Sequence, residues 1–180
     1  MHEDKIVWAF FDTSGSNFEM GKGRLNRNLC RTLFSLRELN PDSVYEEIDF
    51  KTFTFSESVS PVVFEDSGDV KNFSSKGKSS LSVLSSFLID SCNPDSITSI
   101  LLFSDGGFDF KEIENFKRFR AENQNIKIYS AAIGIDANVD ELTSISDKCF
   151  YPDNVLKAVD YAIEALYRKV IPPIYIKDFL

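Results

Sequence analysis

The segment Lys5-Ile6-Val7-Trp8-Ala9-Phe10-Phe11-Asp12-Thr13-Ser14-Gly15-Ser16 decides how the rest of the chain is read. From Ile6 to Phe11 it carries no charge and is rich in aromatic and β-branched side chains. That is the composition of a strand buried on both faces, as in a parallel sheet. Asp12 stands where the strand has to end. Ser14 and Ser16 follow at alternate positions around Gly15, which lets the backbone turn tightly. A carboxylate and two hydroxyls therefore gather at the carboxyl end of a strand, where open α/β sheets hold their ligands. All three offer hard oxygen atoms, suited to Mg²⁺, Mn²⁺ or Ca²⁺ rather than zinc. The same residues also suit a plain helix cap, so the segment alone leaves both possibilities open.

Working outward, helices and strands alternate. Residues 17–23 read as loop. Residues 23–39 read as a helix, with Leu25, Leu29, Leu33, Leu36 and Leu39 recurring on one face, and Asn40-Pro41-Asp42-Ser43 stops it. Residues 45–55 alternate with period two, and residues 59–64 form a short partner whose Pro61 confines it to the sheet edge. Residues 79–89 are helical, and residues 97–103 make a second wholly apolar strand that delivers Ser104-Asp105-Gly106-Gly107. A helix over 110–122, a buried strand over 126–133, a short helix over 139–146, a short strand over 149–151 and a last helix over 155–170 complete the series. The expectation is an α/β fold: a doubly wound, mostly parallel six-stranded sheet with one antiparallel edge and helices on both faces. Residues 1–170 are expected to form one domain and residues 171–180 an extended tail.

Composition narrows the function. The chain has 180 residues and a net charge of -8 with pI near 4.7, which argues against binding nucleic acid through its phosphates. Cys30, Cys92 and Cys149 show no CxxC spacing and no disulfide framework, and no apolar run is long enough to span a membrane, so a cytoplasmic location is expected. The single histidine, His2, at the chain terminus, argues against a Ser-His-Asp triad and against a histidine-held metal.

Two buried strands end in Asp12 and Asp105, and the loop Lys76-Gly77-Lys78-Ser79-Ser80 opens a helix. Three loops thus offer Asp12, Ser14, Ser16, Ser79 and Asp105 to one point. Asp105-Gly106 also has a plain structural use as a turn and Ser79 as a cap, and Ser80 is adjacent to Ser79, which its offset from Gly77 favours as the ligand. Lys76 and Lys78 stand beside the point as competing cations, and a metal-free domain stays open. Phe108 and Phe110 are candidate rim contacts, with the core the expected place for Phe110.

These motifs carry a resemblance. Asp12-Thr-Ser-Gly-Ser16 is similar to the Asp-x-Ser-x-Ser signature of von Willebrand factor A domains, and Ser104-Asp105-Gly106 resembles their later Asp-Gly. Gly77-Lys-Ser-Ser-Leu81 resembles their Gly-x-Thr-x-Leu turn, with Ser79 where the family has Thr. Residues 132–142 resemble the segment after the fifth strand in short intracellular members of the TerY type, found in tellurium-resistance and stress operons. The resemblance implies a metal-ion-dependent adhesion site (MIDAS) made by Asp12, Ser14, Ser16, Ser79 and Asp105. It would hold Mg²⁺, or Mn²⁺ or Ca²⁺, and dock an Asp or Glu of a partner protein, without catalysis, in a stress, signalling or defence system. A last helix that shifts with the metal site is a further family expectation. The alternative is a haloacid-dehalogenase-like phosphatase with Asp12 as nucleophile, although Ser14 stands where its general acid should be.

Overall fold

In the computed structural model, residues 5–39, 43–65, 70–71, 73–75 and 77–167 are described. Six strands form one sheet: β1 (Lys5–Asp12), β2 (Ile48–Phe55), β3 (Val59–Pro61), β4 (Thr98–Ser104), β5 (Ile126–Ala132) and β6 (Lys148–Phe150). Their spatial order is β3-β2-β1-β4-β5-β6, all neighbours parallel except the edge pair β2–β3. Pro61, which has no N–H to give, ends that edge strand as expected.

Among the described residues, five α-helices cover the two faces: α1 (Lys22–Leu39), α2 (Leu81–Ser91), α3 (Phe110–Glu122), α4 (Val139–Ile145) and α5 (Val155–Tyr167). Alternation along β1 sends Val7, Ala9 and Phe11 into a core shared with α1 and α5, and Phe10 into one shared with α2, α3 and α4. Rings dominate both layers. Phe11 and Phe103 lie stacked at 4.4 Å on one face, while Phe10 stacks on Phe53 at 5.1 Å on the other.

Several boundaries differ from the sequence expectation. Residues 15–21 form a 3₁₀ segment, with a kink at Glu19 and Met20, and α1 begins at Lys22 rather than Gly23. Tyr45 belongs to a short 3₁₀ turn capped by Ser43, and β2 starts at Ile48. Phe110 is not a core residue: it is 74% exposed at the first turn of α3, while Phe108 is buried. The turn at Gly106 causes the exchange. Phe108 donates its N–H to the Gly106 carbonyl and folds back into the α2–α3–α4 core. Cys30 is buried and Cys92 and Cys149 half-buried, all three as free thiols. His2, Lys76, the end of the last expected helix (168–170) and the tail 171–180 lie outside the described residues.

Candidate metal centre

The chain runs from β1 to β2 and β3 on one side of the sheet and from β4 to β5 and β6 on the other. The crevice between the carboxyl ends of β1 and β4 is therefore the switch point of the topology, where two loops diverge and leave room for a ligand. Phe11 pairs with Phe103 in register, so the next positions outward are Asp12 and Ser104. Ser104 Oγ donates to Asp12 Oδ2 at 2.6 Å across the two strands.

Asp12 is fully buried, and each of its oxygens accepts from a neutral donor. The Ser14 N–H reaches Oδ1 at 2.8 Å, and Ser79 Oγ reaches Oδ2 at 2.7 Å beside Ser104. Among the described residues no ammonium or guanidinium pairs with it. Burial pushes the Asp12 carboxyl above the ordinary range, and the hydrogen bonds from Ser104, Ser79 and Ser14 only partly oppose this.

Ser79 and Ser80, adjacent in the sequence, part company here. Ser79 turns inward to Asp12. Ser80 is the N-cap of α2, accepting the Val83 N–H at 3.3 Å and donating to Glu112 at 2.7 Å. The loops are tied together at the backbone as well, since the Gly15 N–H donates to the Gly77 carbonyl at 3.1 Å. Ser14 is buried and Ser16 exposed, with their hydroxyls 3.3 Å apart. An open cleft of about 700 Å³ lies over these groups, lined by Ser14, Ser16 and Ser79 together with Glu57, Phe108 and Glu112.

Asp105 enters from β4 but has different company. Asn17 Nδ2 donates to its Oδ1 at 3.0 Å and to Ser14 Oγ at 3.2 Å, so one buried amide links the two loops. Lys22 Nζ donates to Asp105 Oδ2 at 2.9 Å and to Asp136 Oδ2 at the same distance. Lys22 is 3% exposed. Burial lowers its pKa, but the bonds to Asp136 and Asp105 outweigh this and leave it raised, while the Lys22 contact lowers that of Asp136. Gly106, at φ +79°, makes the turn after Asp105 possible: a Cβ there would lie 2.6 Å from the Asn138 carbonyl oxygen.

The structure thus joins Asp12 to Ser79, and Ser14 to Ser16 and, through Asn17, to Asp105. Asn17, Lys22, Ser104 and Asp136 were not foreseen as part of this cluster. Ser104 was the most accessible of them, since pairing β1 with β4 by their apolar runs already sets it opposite Asp12. Lys22 and Asp136 are far apart in sequence and belong to no motif. Among the described residues no three His, Cys, Asp or Glu side chains gather as a metal site. A cation here would depend on the three serine hydroxyls, and on this donor chemistry the residues fit a hard divalent ion.

No protein-family profile matches the sequence, and neither does any curated protein. Solved structures do share its fold. The ArnB paralog VWA2 of Sulfolobus acidocaldarius aligns over 86% of this chain and 44% of its own, with TM-score 0.61 and 17% identity. That neighbour is a von Willebrand factor A domain, and this chain shares its α/β fold. Proximal thread matrix protein 1 of the mussel byssus, with a zinc-occupied MIDAS motif, aligns over 90% of this chain and 46% of its own (TM-score 0.58, 17% identity). Manganese-loaded TRAP protein of Plasmodium vivax aligns over 89% and 74% (TM-score 0.58, 16% identity). The chain spans less than half the length of the first two of these proteins. No helix among the described residues is long and apolar enough to cross a membrane.

Proposed function

We propose that the chain is a non-enzymatic interaction module that holds a divalent cation at Asp12, Ser14, Ser16, Ser79 and Asp105 and uses it to dock an Asp or Glu of a partner protein. One observation carries this. Asp12 is a fully buried carboxylate served only by neutral donors, beneath a cleft edged with hydroxyls. A buried charge without a counter-charge is costly, and a cation held at the adjacent hydroxyls would remove that cost. Mg²⁺ is the first candidate, with Mn²⁺ or Ca²⁺ as alternatives. When bound, the ion supplies a Lewis-acidic position for an external carboxylate. The residues themselves hold the loops: Ser104 and Ser79 orient Asp12, and Asn17 spaces Ser14 from Asp105.

The surroundings suit docking rather than turnover. Met20 (at φ +50°), Phe110 and Ile135 are exposed apolar side chains on the segments that follow β1, β4 and β5 at this same end of the sheet: the 3₁₀ segment, the first turn of α3 and the β5–α4 loop. Asp12 has no exposed surface and both its oxygens are engaged, which disfavours nucleophilic attack on a phosphate ester. A TerY-like role with a partner in a cytoplasmic stress, signalling or defence system rests on the resemblance of residues 132–142.

Calorimetric titration with Mg²⁺ and with Mn²⁺ tests the site. The parent chain should bind and Asp12→Ala should not; equal heats from both would refute the assignment. The Lys22–Asp105 pair favours a second reading, a metal-free scaffold, which predicts no binding in either.

A further inference from the structure

We infer that Lys22 sets the affinity of the candidate site by acting as a tethered cation on Asp105, an inference that rests on the cation-site reading above. The two strand-end aspartates are not equivalent. Asp12 has neutral partners only, whereas Asp105 accepts from an ammonium on one oxygen and from the Asn17 amide on the other. Of these two, an ion entering the cleft therefore finds only Asp12 without a counter-charge, and to draw on Asp105 it has to displace or repel Lys22.

The lysine is built into place rather than lying there by chance. Its head is divided between Asp105 and Asp136, 2.9 Å from each, so it clamps the β4–α3 loop to the β5–α4 loop. Its stem runs across Gly134, where a Cβ would lie 2.8 Å from Lys22 Cδ and 2.7 Å from Asp136 Oδ1. Gly134 stands at φ +103°, a conformation that keeps side chains away from this path. A buried lysine with two carboxylate partners holds its charge, and one positive charge this close opposes a second.

Lys22→Met removes the ammonium and keeps the bulk of the stem. Manganese titration by calorimetry should show at least tenfold tighter binding in Lys22→Met than in the parent. Lys78→Met is the control for general electrostatics: Lys78 is exposed, lines the same cleft and is not bonded to Asp105, so its loss should change affinity less than twofold. A gain equal in both variants, or no gain in Lys22→Met while the parent binds, overturns the role of Lys22. Absence of binding in the parent and in Lys22→Met alike would instead overturn the cation site itself. Should Lys22→Met fail to fold, the parent decides through nitrogen-detected lysine ammonium NMR. One ammonium signal protected from exchange should shift on adding Mg²⁺, and an unmoved signal at saturating Mg²⁺ refutes the inference.

Discussion

Replacing Asp12 by Asn should stabilise the metal-free chain and abolish its response to divalent cations. The magnitude follows from what surrounds the side chain. Asp12 accepts from Ser14 N–H, Ser79 Oγ and Ser104 Oγ, and no cation pairs with it among the described residues. Each bond to an ionised acceptor is worth about 1.5–3 kcal/mol against about 1 kcal/mol for a neutral one, so the change of partner sacrifices about 3 kcal/mol. Against that stands the effective penalty of burying an ion, several kcal/mol in real proteins, which Asn does not incur. The two nearly cancel, with about 1–2 kcal/mol left in favour of Asn. For a chain of 180 residues this corresponds to a melting temperature higher by about 2–8 °C in a chelator-containing buffer. Saturating cation reverses the order. At a hundred times its Kd a ligand adds about 2.7 kcal/mol to the parent alone, which raises its melting temperature by about 5–10 °C. Differential scanning calorimetry of both proteins, with EDTA and with 10-fold steps of MgCl₂ or MnCl₂, gives all four values. The reasoning fails if Asp12→Asn melts below the parent in EDTA while the parent ignores both metals, because the carboxylate would then be stabilising without a cation.

The two neighbouring serines should separate by experiment as they do in space. Ser80→Ala removes the α2 cap and should cost about 1 kcal/mol in urea unfolding with metal affinity unchanged, whereas Ser79→Ala should weaken Mn²⁺ binding. Phe11→Ala empties the position stacked on Phe103 and should destabilise by about 3–5 kcal/mol, measured by the urea midpoint at constant slope. Burial pushes the Cys30 thiol up to about 12 from an ordinary 9.0. The folded chain thus keeps a proton that the unfolded chain releases, and stability falls as pH rises from about 9 toward 12. At pH 8 a disulfide reagent should leave Cys30 unmodified in the native protein and label it once urea is added; rapid native labelling at Cys30 would contradict its burial.

The sheet was legible because its signals are local and repeated. Apolar stretches mark β1, β4 and β5, which are covered on both faces despite Lys127 within β5, and a proline marks the edge at β3. Asp12, Ser14 and Asp105 were legible for the same reason: each follows a strand whose end is plain in the sequence. What stayed hidden depends on contacts between distant segments. Lys22 joins Asp105 and Asp136 across 83 and 114 residues, and nothing in its neighbourhood distinguishes it from the helix-surface arginines that follow. The exchange of Phe108 and Phe110 has a similar origin. The positive φ of Gly106 turns the chain so that the first ring goes inward and the second outward, and helical periodicity carries no information about the turn before a helix.

A cation placed at the hydroxyls would be served directly by neutral groups, and this connects metal binding to partner binding. Of the two candidate-ligand carboxylates, Asp105 is already held by Lys22 and Asp12 has neutral partners only, while the serine hydroxyls contribute no charge. The ion would stand beside a cleft open to solvent. An external carboxylate entering that cleft adds negative charge next to the ion, so metal and acidic partner each increase the affinity of the other by the same factor. The apparent Mn²⁺ affinity of the parent should therefore rise in the presence of a short acidic peptide or acetate. In Lys22→Met, where Asp105 is released from its ammonium and can serve the ion from within, that rise should shrink. Equal rises in the two proteins would mean that Lys22 does not govern how much charge the ion retains.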